Sequence, residues 1–287
     1  MSTLTEQPNR RGPAARVSRR ALITILTVVV LALVVGPLVW AISTSLKLPN
    51  EILSAPPSLV PDPFTLTHYS RLSREGVTWN FLNSLINSGL TVLLALAGGA
   101  AAGYAMSRYK FRGSRFLLVF FVASMTIPAY SLLLPTQLLF NEVGLLDTAA
   151  TLPILYVAHV IPLVVWVTKT QFDALPIELE QAATVDGYSR WEAARKIVIP
   201  GAKPALIAGG AYAFLVAWND YITAATMTSA PELRTMPVAL VFFQGFHGRE
   251  WGPLMAGVVL ATIPPVVLFV VFRRYLIGGF LSGAIKG

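Results

Sequence analysis

Six stretches of the chain stay apolar for the length of a membrane crossing: residues 21–44, 82–106, 116–139, 149–168, 205–228 and 253–272. A helix needs roughly 20 mostly apolar residues to pass through the hydrocarbon core. Lipid offers no partners to backbone N–H and C=O groups, so such runs must be helical. The pattern predicts an all-α, polytopic protein with six transmembrane helices, a polar tail at 1–20 and a second at 273–287. Pro37, Pro128, Pro135, Pro153, Pro162, Pro264 and Pro265 fall inside these stretches. In water a proline ends a helix. In a bundle it is expected to kink one. The first stretch starts after Arg16, Arg19 and Arg20 in the manner of a signal peptide. Its length exceeds the usual 7–15 apolar residues, so it reads as an uncleaved span.

Composition agrees with a membrane protein. Of 287 residues, 55% are hydrophobic, 13% are charged and none is Cys. Mean hydropathy is +0.64. Soluble domains carry about 25% charged residues. Disorder, a disulfide scaffold and thiol chemistry are excluded.

The net charge of +8 is explained by where it sits. Segments 1–20, 107–115, 169–204 and 273–287 hold most of the 22 Lys and Arg. The alternate segments hold the rest: Lys47, Arg71, Arg74, Arg234 and Arg249. Basic loops stay in the cytoplasm, which predicts a multi-pass protein of the cell membrane with both termini inside. Arg108, Lys110, Arg112 and Arg115 then anchor the inner face and do not mark nucleic-acid binding. The proline-bearing outer segment 45–81 is expected to be irregular.

Segment 169–204 is too long for a connector and too charged for a span. Pro176 suits a first helical position. Leu179, Ala182, Ala183 and Asp186 share one helical face. Gly187 suits the left-handed residue that ends a helix. Ser189 and Glu192 form a capping box for a second helix, which Pro200 is expected to stop. The product is two short helices joined by a tight turn. Ala182 and Ala183 beside Gly187 would let another protein's backbone approach closely. Ile197 and Ile199 would anchor the far end against the spans. From these residues alone, a docking element and an amphipathic hairpin lying on lipid are equal readings. A DNA-reading helix-turn-helix bearing Arg190, Arg195 and Lys196 is disfavoured, because Glu192 sits among them and both ends are tethered.

The same loop carries a resemblance. Gln181-Ala182-Ala183, three residues, Gly187, nine residues, Ile197, one residue, Ile199 and Pro200 resemble the cytoplasmic loop of ABC-importer permeases. That family has Glu where Gln181 stands and Leu where Ile199 stands. Glu180, one place earlier, is positioned to supply the missing charge. Further matches look like the maltose-type, carbohydrate branch: Asn83-Ser84, Tyr104-Ala105 with Arg108, Phe111-Arg112-Gly113, Trp218-Asn219-Asp220-Tyr221, and the tail Gly283-Ala284-Ile285-Lys286-Gly287. The resemblance implies a permease subunit that takes a sugar from an extracytoplasmic binding protein and passes it inward by alternating access. It implies a second permease chain of different sequence and a cytoplasmic ATPase dimer. Gln181, Ala182, Ala183, Asp186, Gly187, Ile197, Ile199 and Pro200 would couple to that ATPase, and Gly283 to Gly287 would touch it.

No Gly-x-x-x-x-Gly-Lys-(Ser/Thr) occurs, so ATP and Mg are expected on the partner and no cofactor on this chain. No metal-ligand cluster and no nucleophile–base set appears, so the chain reads as a transport subunit and not an enzyme. Among Asp, Glu, Lys, Arg and His, only His159 and Asp220 lie within the six stretches. An ionised Asp at the bilayer centre costs roughly 2.5–3.5 kcal/mol, so it faces protein or a wet cavity. Trp218, Asn219 and Asp220 are candidates for the transport path, with helix packing as the competing role. His159 reads as packing. Gly99 and Gly103 permit close helix approach, within the chain or between subunits. An ion-coupled secondary transporter is the alternative. It would need several intramembrane carboxylates.

Overall fold

The computed structural model describes residues 13–109, 111–245 and 250–284, and these form helices with no strand among them. The first apolar stretch is α1 (Pro13–Ser45), which begins inside the expected amino-terminal tail. Residues 1–12 lie outside the described part. From Leu22 to Val39 α1 is apolar on every side, with Leu33 72% exposed, as a helix bathed in lipid should be, and its last turn is buried. The outer segment is more ordered than expected. It contains α2 (Pro49–Ile52) and α3 (Thr67–Arg74). Polar contacts fold it back on the end of α1. Ser43 Oγ donates to the Leu59 carbonyl, the Lys47 ammonium donates to the Ser58 carbonyl, and the buried His68 ring bonds the Lys47 carbonyl at 2.8 Å.

α4 (Val77–Arg108) is the second crossing. The third is broken. α5 (Ser114–Ser124) ends in tightened turns at Met125, Thr126 and Ile127, each N–H reaching back three residues. A short 3-10 turn at Ala129–Leu132 leads into α6 (Leu133–Glu142), and the two halves meet at 91°. Pro128 sits at this break. It supplies no N–H, and the residue before a proline is pushed out of the helical region. So the kink expected here is a full interruption. Pro162, Pro264 and Pro265 lie inside unbroken helices.

α7 (Thr151–Ala174) is the fourth crossing and runs into the expected loop. The loop itself holds α8 (Glu178–Val185), α9 (Arg190–Ala193), a π-helical turn at Ala194–Val198 and α10 (Ile199–Gly201). α11 (Lys203–Asn219) follows after a 73° bend. α12 (Ile222–Met227) continues it after a break at Asp220. α13 (Met236–Val241) precedes the sixth crossing, α14 (Trp251–Ala284). α14 is helical through much of the expected 273–287 tail. Among the described residues, four helices are long and apolar enough to cross a membrane, and up to six crossings result if each bent pair counts as one.

The centre is built by α4, α7 and α11. Ala95, Val160, Val164 and Ala213 form a buried cluster there. Helix association in lipid lacks the hydrophobic drive, so it depends on close fit and hydrogen bonds. Gly99 and Gly103 supply the fit. A Cβ on Gly99 would stand 2.5 Å from Val164 Cγ1, and one on Gly103 would stand 2.9 Å from the Lys169 backbone N. The two glycines therefore serve packing of α4 on α7 within this chain.

Candidate functional site

The hairpin forms where local chemistry dictates. Gly187 has φ +91°, the left-handed value a glycine takes at least cost. The Tyr188 N–H reaches the Ala183 carbonyl at 3.0 Å and the Gly187 N–H reaches Thr184 at 3.1 Å. This pair of bonds closes α8 and satisfies its last carbonyls. Ser189 then opens α9 with a complete capping box. Its N–H and its hydroxyl both donate to the Glu192 carboxylate, which holds Glu192 below its ordinary value.

The structure splits the expected docking residues into two groups. Gln181, Ala182, Asp186 and Gly187 are exposed, whereas Ala183 is packed inward at 3% exposure. Large apolar side chains also face outward, with Val185 87% exposed and Trp191 70%. Ile197 is half-buried and Ile199 exposed, so they are not the anchors anticipated. Val198 and Ala194 take that role, with Val198 packing on Phe172 and Ala202. Ala194, Val198 and Ala202 recur every four residues and so share one buried face, which Ile197 and Ile199, two residues apart, cannot both join. Pro200 does not stop the helix. It lies inside the last turn, Ile199–Gly201, and the helix ends one residue after it.

Glu180 does not reach outward in place of the missing Glu. Both its oxygens are taken within the chain, one by Arg108 Nε and the other by the Tyr104 hydroxyl at 2.8 Å. The Arg108 and Glu180 side chains are 9% and 14% exposed. Removing one partner of such a sheltered pair typically costs about 3–5 kcal/mol. Sequence spacing gave no signal of this contact, because 72 residues separate the two groups.

A second site lies in the helix bundle. A cavity of about 540 Å³ opens between the broken third crossing, α7 and α11. Ile127, Tyr130, Tyr156, His159, Asn219 and Asp220 are on its walls. His159 is exposed there and not packed away as expected. Asp220 accepts from Tyr156 Oη at 3.0 Å, from Thr223 Oγ1 at 3.0 Å and from the Ala224 N–H at 3.0 Å. It thereby caps the start of α12. Asn219 borders this cavity and a neighbouring one of about 410 Å³. Trp218 is 2% exposed. Its indole N–H donates to the Ala261 carbonyl on α14 at 3.0 Å, and its ring stacks on Phe214. Tyr130 and Tyr156 were not anticipated. Their signal, two tyrosines on helices flanking the only intramembrane His and Asp, emerges once the bundle is assembled. Of the expected tail contact, Gly283 and Ala284 are the last residues of α14, and Ile285, Lys286 and Gly287 lie outside the described residues. Among the described residues no group of three or more His, Cys, Asp or Glu is placed to hold a metal.

Residues 95–280, which include the hairpin and the cavity, match the binding-protein-dependent transport system inner membrane component family. The chain belongs to that family. It is a multi-pass inner membrane component. The trehalose/maltose permease MalG of Thermococcus litoralis is 32% identical over 276 residues, covering 94% of this chain and 98% of its own. The trehalose permease SugB of Mycobacterium tuberculosis is 34% identical over 265 residues, covering 89% and 95%. A bacterial ABC transporter that imports alginate has the same fold, with a TM-score of 0.80 at 20% identity over 94% of this chain and 100% of its own. This inner membrane component is thus a permease subunit of an ABC importer, and its relatives are named transport subunits, not enzymes. They lend nothing to an ion-coupled carrier.

Proposed function

We propose that this permease passes a sugar inward by alternating access, driven by a cytoplasmic ATPase dimer that grips the hairpin. One observation carries the reading. The hairpin tip exposes Val185 and Trp191 beside Ala182 and Gly187, among the charged side chains of Asp186, Arg190 and Glu192. Bare apolar side chains in that setting mark a protein or membrane contact, and the charged neighbours together with the family's loop pattern favour a protein. The Lys and Arg distribution puts the hairpin and both termini in the cytoplasm. ATP and Mg belong to the ATPase. A second permease, of different sequence, completes the cavity, and an extracytoplasmic binding protein delivers the substrate. Relatives named for trehalose, maltose and diacetylchitobiose support a sugar as substrate. Asn219 and Asp220 line the path, and Trp218 holds α11 in place behind them. Gly283 to Gly287 form a second ATPase contact.

The test is uptake in cells that carry the complete transporter. Ala182→Arg puts a bulky charge on the tip without touching the core. Uptake is expected to fall more than about tenfold, the effect of roughly 1.4 kcal/mol of lost docking energy. The ATPase should also co-purify poorly with the variant. Normal uptake by this variant overturns the docking assignment. A deletion strain that loses uptake of no sugar overturns the substrate class.

A further inference from the structure

The hairpin is joined to the helices that follow and precede it through soft points. Leu175, after α7, is extended, and Ala202, before α11, sits at the 73° bend. A push on the hairpin that travelled only along the chain would be absorbed at these joints. The Glu180 contact bypasses them. Arg108 and Tyr104, both near the end of α4, hold the two oxygens of Glu180, and Arg108 Nη2 also donates to the Leu175 carbonyl at 3.1 Å.

The other end of α4 is gripped as firmly. The Trp79 indole and the Asn80 and Asn83 amides donate to the carbonyls of Glu232 and Arg234. The buried Ser84 hydroxyl accepts the Met236 N–H at 2.8 Å. These are bonds to the backbone of the loop before α13, so they fix its position and not merely its side chains. Both grips sit on one continuous helix of 32 residues, about 48 Å long at 1.5 Å per residue.

We propose that Arg108 and Tyr104 are positioning residues that lock the hairpin to α4, making α4 a rod that carries hairpin motion to the 231–236 loop at the far membrane face. The proposal rests on the docking reading above. It assigns Arg108 a part in transmission, beyond anchoring the inner face.

The chain has no Cys, so a single reporter can be placed cleanly. Ser229→Cys, next to the loop, carries a nitroxide label in the complete reconstituted transporter. Its spectrum is compared with and without a non-hydrolysable ATP analogue. The parent is expected to respond, and Arg108→Met is expected to lose more than half of the response while the ATPase still co-purifies. Arg108→Glu combined with Glu180→Arg restores it. A purely structural role would lower the amount of protein and leave the response per molecule unchanged. If Arg108→Met fails to accumulate, Tyr104→Phe, which removes one hydroxyl, is read the same way and shows a smaller loss. No response in the parent, or a full response in Arg108→Met (in Tyr104→Phe where the former does not accumulate), overturns the proposal. Ala182→Arg keeps the two readings apart. If it still couples, the docking reading fails. If it uncouples while the Arg108 variant responds fully, only the rod fails.

Discussion

The Thr168 hydroxyl on α7 lies 3.1 Å from the Gly99 carbonyl oxygen on α4 and shares its one proton between that oxygen and the Val164 carbonyl of its own helix, at 2.7 Å. That bond is possible because nothing but hydrogen stands on Gly99 and Gly103. The helix pair at the heart of the bundle is therefore set by two missing side chains.

Gly103→Ala should destabilise the chain by about 1–3 kcal/mol, the usual cost of overfilling a tight contact. Its new methyl would meet the Lys169 backbone, which cannot rotate away. Gly89→Ala is the control. No atom lies within 4 Å of its Cβ position, and alanine favours a helix over glycine by roughly 0.5–1 kcal/mol. Thermal midpoints in detergent should fall for the first and hold or rise for the second. Equal midpoints would show that α4 and α7 adapt.

Ser84→Ala leaves the Met236 N–H without its partner in a buried site. An unmet buried donor costs about 1–3 kcal/mol. Hydrogen exchange at Met236 should quicken, while exchange in the hairpin stays as before. Unchanged protection at Met236 would mean that the loop is held by Asn80 and Asn83 alone.

Trp218 and Asn219 should separate in their effects. Trp218→Phe loses the bond to Ala261 and lowers the thermal midpoint, with a cost of about 1 kcal/mol. The half-saturating substrate concentration stays put. Asn219→Ala, on the cavity wall, should raise that concentration without changing the protein level. A reversed pattern would exchange their roles.

The hairpin start should be acid-sensitive. Glu192 is held below its ordinary value by the Ser189 N–H and then the Ser189 hydroxyl. A lowered carboxyl contributes its stability above the unfolded value and loses it as pH falls through the folded one. The protection of the α9 amides, taken relative to the intrinsic exchange rate at each pH, should therefore fall as pH drops below the ordinary glutamate range. In Ser189→Ala the exchange should be faster at neutral pH, and less of the acid dependence should remain. An acid dependence as large in the variant as in the parent would rule out the capping box as its cause.

The legible parts of this molecule are those written by neighbours in sequence. The Gly187 turn and the Ser189–Glu192 box follow from residues within a few positions, and the long crossings follow from apolar length. The break at Pro128 did not, because Pro162 and Pro264 stay inside helices with the same local signal. A cavity beside the proline does not separate them either, since Pro265 borders one inside an unbroken helix. The Ile197 and Ile199 anchors missed by one position, since the buried face follows the four-residue spacing of Ala194, Val198 and Ala202 and apolarity alone does not reveal it. The Arg108–Glu180 pair was hidden by distance along the chain, although both residues were in view.

Both interrupted crossings, at Pro128 and at Asp220, open onto one chamber. Irregular main chain survives at membrane depth only where protein or solvent meets its polar groups. Main-chain dipoles thus form part of the chamber's lining, and these cannot be altered by point mutation. Evolution can retune such a chamber through its side chains while the polarity of its main chain stays constant underneath.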